Sequence, residues 1–106
     1  MICKPTIALG ESSSSVIDKR DRVMTGVILP SALTSVTMTA WASDTPDGTY
    51  AQVYDSDGNA VSLTVAASRA VGLEGTEADA CAPWPYLKLV GNAAEAAART
   101  LIVCLA

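Results

Sequence analysis

Polar and apolar residues alternate along much of the chain with a period of two. From Thr34 to Ala42 (TSVTMTAWA), Val36, Met38 and Ala40 fall on one face and Thr37, Thr39 and Trp41 on the other. That is the spacing of a half-buried strand. Ala60–Ala66 (AVSLTVA) repeats it, with Val61, Leu63 and Val65 inward. Arg22–Leu29 (RVMTGVIL) is apolar, rich in β-branched residues and stopped by Pro30, which fits a buried strand better than a helix. Tyr50–Tyr54, Arg69–Leu73, Trp84–Val90 and Arg99–Leu105 bring the set to about eight short strands.

Turn formers separate these runs. Ser43–Thr49 (SDTPDGT) is dense in them, and Asp55–Asn59 (DSDGN) reads as a hairpin turn, because Asp-Gly tolerates positive φ. Glu74–Pro83, acidic and small-residue, reads as loop. Ser12–Ser15 is either a flexible tip or an edge strand running into Val16 and Ile17. One segment dissents. Asn92–Arg99 (NAAEAAAR) has high helix propensity and a capping pattern in Asn92 and Glu95, yet is too short for an unaided helix. One helical turn or an ordered loop is expected there, with continuation as a helix through Cys104 as the competing outcome. Together the pattern predicts a single all-β domain over 1–106, an antiparallel β-sandwich of jelly-roll-like type. Local pattern does not fix strand order.

Composition adds a hint of partners. Half of the 106 residues are hydrophobic, Phe is absent, and only 17% are charged. Much of the surface must then be Ser, Thr, Gly and Ala, or be covered by a neighbour, which points to an oligomer or a docked subunit. The net charge is −4, and the only basic cluster is Lys19, Arg20 and Arg22, which argues against nucleic acid. Beside Asp18 and Asp21 this trio reads as a solvated turn. No run approaches a membrane span, and Met1–Ala8 has no apolar signal region, so synthesis in a cytoplasm is expected.

Candidate chemistry is sparse. Without histidine, Ser–His and Cys–His nucleophile pairs cannot form within the chain. Lys88 alternates outward on its strand, where a solvated charge is the simpler reading than a catalytic base. Asp55, Asp57 and Asn59 resemble a calcium loop only superficially, since Gly58 comes too early and Ala66 stands where a Glu should. No metal, no cofactor and no enzymatic activity are expected. Trp41, Trp84, Tyr50, Tyr54 and Tyr86 could make a sugar-stacking platform, although core packing is the commoner use. Trp84, between Pro83 and Pro85, is a candidate interface anchor. Cys3, Cys81 and Cys104 contain no CxxC pair and read as buried free thiols, with one intramolecular or intersubunit disulfide as the alternative. Cys3 and Cys104 become neighbours if the terminal strands pair.

The order of these elements resembles that of small virion proteins of tailed bacteriophages. It runs from a serine-containing entry into VID (Val16–Asp18) through VMTGVILPSAL (Val23–Leu33) and TSVTMTAWAS. It continues with YAQVYDSDGNAVSLTV (Tyr50–Val65), SRAVGL (Ser68–Leu73), YLKLVGN (Tyr86–Asn92) and AARTLIVCL (Ala97–Leu105). The resemblance extends over nearly the whole chain from Thr6. It implies a non-enzymatic β-sandwich of the virion, made in the host cytoplasm. Its partners would be copies of itself, a trimer by analogy, and virion proteins such as the major capsid protein. A capsid decoration (cement) role is the leading expectation. A neck, collar or tail accessory, or a carbohydrate- or receptor-binding module, is the alternative. No site residues transfer with it, and the three cysteines and the Cys81–Pro85 loop depart from the pattern.

Overall fold

The alternating segments pair as their period requires. The computed structural model describes residues 1–106. Its strands are β1 (Ile2–Cys3), β2 (Thr6–Ile7), β3 (Ile17–Asp18), β4 (Met24–Ile28), β5 (Thr37–Ser43) and β6 (Ala51–Gln52). They continue as β7 (Ser62–Thr64), β8 (Ala70–Gly72), β9 (Tyr86–Gly91), β10 (Arg99–Thr100) and β11 (Ile102–Leu105), with α1 (Gly75–Cys81) between β8 and β9. Every pairing is antiparallel.

Several of these short strands are pieces of one line. Ile2 faces Cys104, Cys3 faces Val103, Thr6 faces Thr100 and Ile7 faces Arg99, so β1–β2 runs along β10–β11 in one register. Pro5 interrupts the line because it has no N–H to donate. Its carbonyl still accepts from Leu101 N at 2.9 Å. Likewise β6 and β7 both lie along the same edge of β5. Merging these three pairs turns eleven strands into eight lines. The first sheet orders them first, eighth, third, sixth (β1-β11-β4-β8), and the second orders them second, seventh, fourth, fifth (β3-β9-β5-β6, with β7).

The inward rows of both sheets meet in one core. Met24, Val27, Val103 and Leu105 come from the first sheet, and Ile17, Met38, Ala40, Leu63, Leu87 and Leu89 from the second. Apart from Ala40, each such side chain contributes roughly 1.5–3 kcal/mol of hydrophobic stabilisation. Met38 and Ala40 point inward as the alternation predicts, whereas Val36 lies just before β5 and is 58% exposed.

Four details differ from, or resolve, the sequence reading. Ser12–Ser15 is neither a tip nor an edge: Ser13 bridges Val90 and Ser14 bridges Ile7, and Ser14 is buried. Its hydroxyl accepts from Leu89 N at 3.0 Å, so Ser14 is satisfied inside the sandwich while Ser15 stays exposed. The Glu74–Pro83 segment is not all loop, because Gly75–Cys81 forms α1. Its small residues Ala78 and Ala80 let the turn lie against the core, and Cys81 is buried. Such a helix shows no large apolar stripe, so periodicity could not reveal it. Asn92–Arg99 is an ordered loop up to β10, not a helix. Finally, Lys19 is not solvated but buried.

Two buried charges lock the loops. Lys19 Nζ donates to Arg22 O and Ala82 O, both at 2.8 Å, and lies 3.4 Å from Arg20 O. An ammonium has three protons, and three carbonyls surround it. Burial lowers its pKa, with Cys81 and Asp21 opposing. Glu95 takes backbone N–H bonds from Thr34 (2.8 Å) and Ser35 (3.0 Å), and Arg99 Nε at 3.0 Å. The Ser35 hydroxyl lies 3.0 Å from the same carboxylate. Burial works against its charge, but the bonds from Thr34, Arg99 and Ser35 prevail and bring its pKa down to about 2.

Candidate functional site

The most developed surface feature grows from an irregularity in the edge strand. Trp41 pairs with Gln52 and Thr39 with Ser62, so two steps along β5 correspond to ten along the edge. The surplus leaves the sheet as a finger, closed where Tyr54 bridges Ala60. The DSDGN turn caps it. Asp55 N donates to Asn59 O at 2.9 Å, Gly58 N to Asp55 O at 3.1 Å, and Gly58 has φ +83°. Asp55 Oδ1 accepts from Asp57 N and Asn59 N at 2.9 Å each. That carboxylate oxygen holds a turn, as the hairpin reading expects.

Across from the finger stand α1 and the Pro83–Trp84–Pro85 segment. Trp84 Nε1 donates to Ala80 O at 2.8 Å, which ties the indole to the helix end. Trp84 is 43% exposed and Tyr54 54% exposed. Between them lies a cleft of about 410 Å³, lined also by Asp55, Asp57, Asp79 and Pro83, with no Lys or Arg in its wall. A smaller recess of about 210 Å³ adjoins the same two rings and is walled by Ala42, Ala51 and Val53. No three His, Cys, Asp or Glu side chains are grouped closely enough to hold a metal ion.

The five aromatics do not form a single platform. Trp41 Nε1 donates to Thr39 Oγ1 at 3.0 Å, and Lys88 Nζ sits 4.6 Å from the centroid of Tyr50. Arg20 lies 5.8 Å from that of Tyr86. Lys88 thus faces out from its strand, over an aromatic ring. Tyr54 and Trp84 are the pair that lines a cleft.

The cysteines are brought less close than their termini. The terminal strands pair, but Cys3 faces Val103 and Cys104 faces Ile2. One residue of offset places the two thiols on opposite faces of the sheet. Cys3 packs against the core, Cys81 is buried in it, and all three are free. Burial raises the Cys81 pKa to about 11, with Lys19 opposing and Glu77 adding to the shift.

The outer faces of the two sheets differ. On the second, Thr37, Thr39, Lys88, Ser62 and Thr64 share the surface with Trp41, Tyr86 and Val90, so polar and apolar side chains are mixed. On the first, the row Ile2, Cys104, Gly26, Gly72 lies beside Ile102, Ile28, Ala70. The residues named in both rows are uncharged, with Ile2 and Ile28 53% and 42% exposed, and the exposed Lys4 closes the second row opposite Ile102. Sequence alternation marked Ile28 and Ile102 only as strand residues. The pairing register is what assembles them into a patch.

Comparison with protein-family models, curated proteins and solved structures finds no match to this chain, so its fold and surfaces carry the functional argument.

Proposed function

We propose that the chain is a non-enzymatic structural subunit of a tailed-phage virion, and specifically a capsid decoration protein. The observation that carries this reading is the apolar outer face of the first sheet, where Ile2, Ile28 and Ile102 cluster and Lys4 is the charge at its edge. Contiguous exposed apolar surface marks an interaction site more often than a free surface. Here it lies on a sheet whose opposite face is already committed to the core. Burying that face against a neighbour would stabilise both partners without new chemistry.

The architecture supports the same reading. Eight antiparallel lines ordered first-eighth-third-sixth over second-seventh-fourth-fifth fit a jelly roll, a frame used by capsid and lectin domains. This part of the argument is fold-level analogy. Repeated modest contacts to a shell gain strength through effective concentration, and a rigid sandwich loses little entropy on docking. The same face would serve self-association into the trimer expected by analogy.

Replacing Ile28, exposed and outward, with Lys tests the idea without touching the core. The wild-type protein should sediment as an oligomer at micromolar concentration, and Ile28→Lys should shift it to a monomer that keeps its cooperative unfolding but melts at a lower temperature. A wild-type protein that is monomeric and fails to bind shells would overturn the proposal.

A further inference from the structure

We infer that the Tyr54–Trp84 cleft is a docking site for an arginine side chain presented by a neighbouring protein. The argument begins with what the walls can offer. Tyr54 and Trp84 supply two half-exposed ring systems, and Asp55, Asp57 and Asp79 supply carboxylates. No cation of this chain lines the space. Elsewhere four of the seven basic side chains are engaged: Lys19 is buried, Arg20 and Arg99 pair with Asp18 and Glu95, and Lys88 covers Tyr50.

The charge of the wall and its ring faces then select the ligand. The one indole N–H of Trp84 is already given to Ala80 O, so the ring presents a π face and no donor. Asp55 Oδ1 is occupied by the turn, while Asp57 and Asp79 make no salt bridge. The hydroxyls of Ser56 and Thr76 also line the cleft and can accept as well as donate, so the preference for a cation rests on the carboxylates and the two rings. A guanidinium is all donors, planar and positively charged, and matches a site of acceptors and aromatic faces. Because the finger is held by its own turn and Trp84 by Pro83, Pro85 and Ala80, both walls are preorganised, which lowers the ordering cost of binding.

The neighbouring protein is the part that rests on the proposed structural role. The cleft chemistry can be tested apart from it. The probe is the peptide acetyl-Gly-Arg-Gly-amide, followed by the indole N–H resonance of Trp84, with that of Trp41 as internal reference. The Trp84 signal should shift saturably with millimolar affinity, weakening with salt, while Trp41 stays still. Asp57→Asn with Asp79→Asn should weaken binding by about five- to tenfold. The neutral citrulline peptide should not bind. Equal shifts from the citrulline peptide, or a response to glucose but not to arginine, would overturn the site. An unchanged titration in the double variant would do the same. If the double variant instead altered the protein's own sedimentation and left the peptide titration flat, the occupant would be a second copy and the proposal would fail. Failure here leaves the Ile28→Lys result standing, and the reverse is also true.

Discussion

At the scale of single residues, burial of charge governs stability. Glu95 has a folded pKa near 2 against an ordinary value of 4.5. A carboxylate depressed in this way stabilises the fold above its unfolded pKa. That contribution is lost as pH falls from about 4.5 toward 2 and amounts to roughly 3 kcal/mol. Urea titrations should therefore show stability falling across that window, with the fall abolished in Glu95→Ala. At neutral pH the same variant leaves the Thr34 and Ser35 N–H groups and Arg99 without their acceptor. It should cost about 3–5 kcal/mol. The thiols offer a second check. Cys81, buried and with its pKa near 11, should resist a thiol reagent in the native protein and react only on unfolding. Cys3 and Cys104, both partly exposed, should label without denaturant, and rapid native labelling of Cys81 would contradict the packing.

At the scale of elements, the finger is where local chemistry matters most. Gly58 sits at φ +83°, which an L side chain adopts only with strain. Gly58→Val should cost about 1–2 kcal/mol, and Gly58→Asn less, by thermal denaturation; equal stability of all three would sink the turn geometry. The DSDGN turn was readable because Asp-Gly has few other uses. Alternation likewise exposed β5 and β7, since Met38, Leu63 and Val65 had to share a face. What could not be read depends on distant partners. Glu95 looked like a helix cap until Thr34 and Ser35, some sixty positions earlier, were found bonded to it. Lys19 looked solvated because nothing local shows that Ala82 O waits for it. Helix α1 was hidden by its own small residues. The cleft was half legible: Trp84 was singled out as an anchor, but its pairing with Tyr54 needs the finger and the helix end together.

At the scale of the whole molecule, the two faces of the sandwich are unequal, and so are its two candidate uses. One sheet mixes threonines, serines and Lys88 with Trp41, Tyr86 and Val90, and the other presents Ile2, Ile28 and Ile102 with Lys4 at the edge. A subunit that clamps a larger surface through an apolar sheet face needs no catalytic group, and its acidic aromatic cleft can fix orientation through a single basic side chain. Charge then sets register, while apolar area supplies affinity. The most direct test of the proposed structural role is the copy number of the protein relative to the major capsid protein, by quantitative mass spectrometry on purified virions of the phage that, on this proposal, would encode it. A decoration role predicts copies of the same order as the major capsid protein. Absence of the protein from the particle would contradict the account.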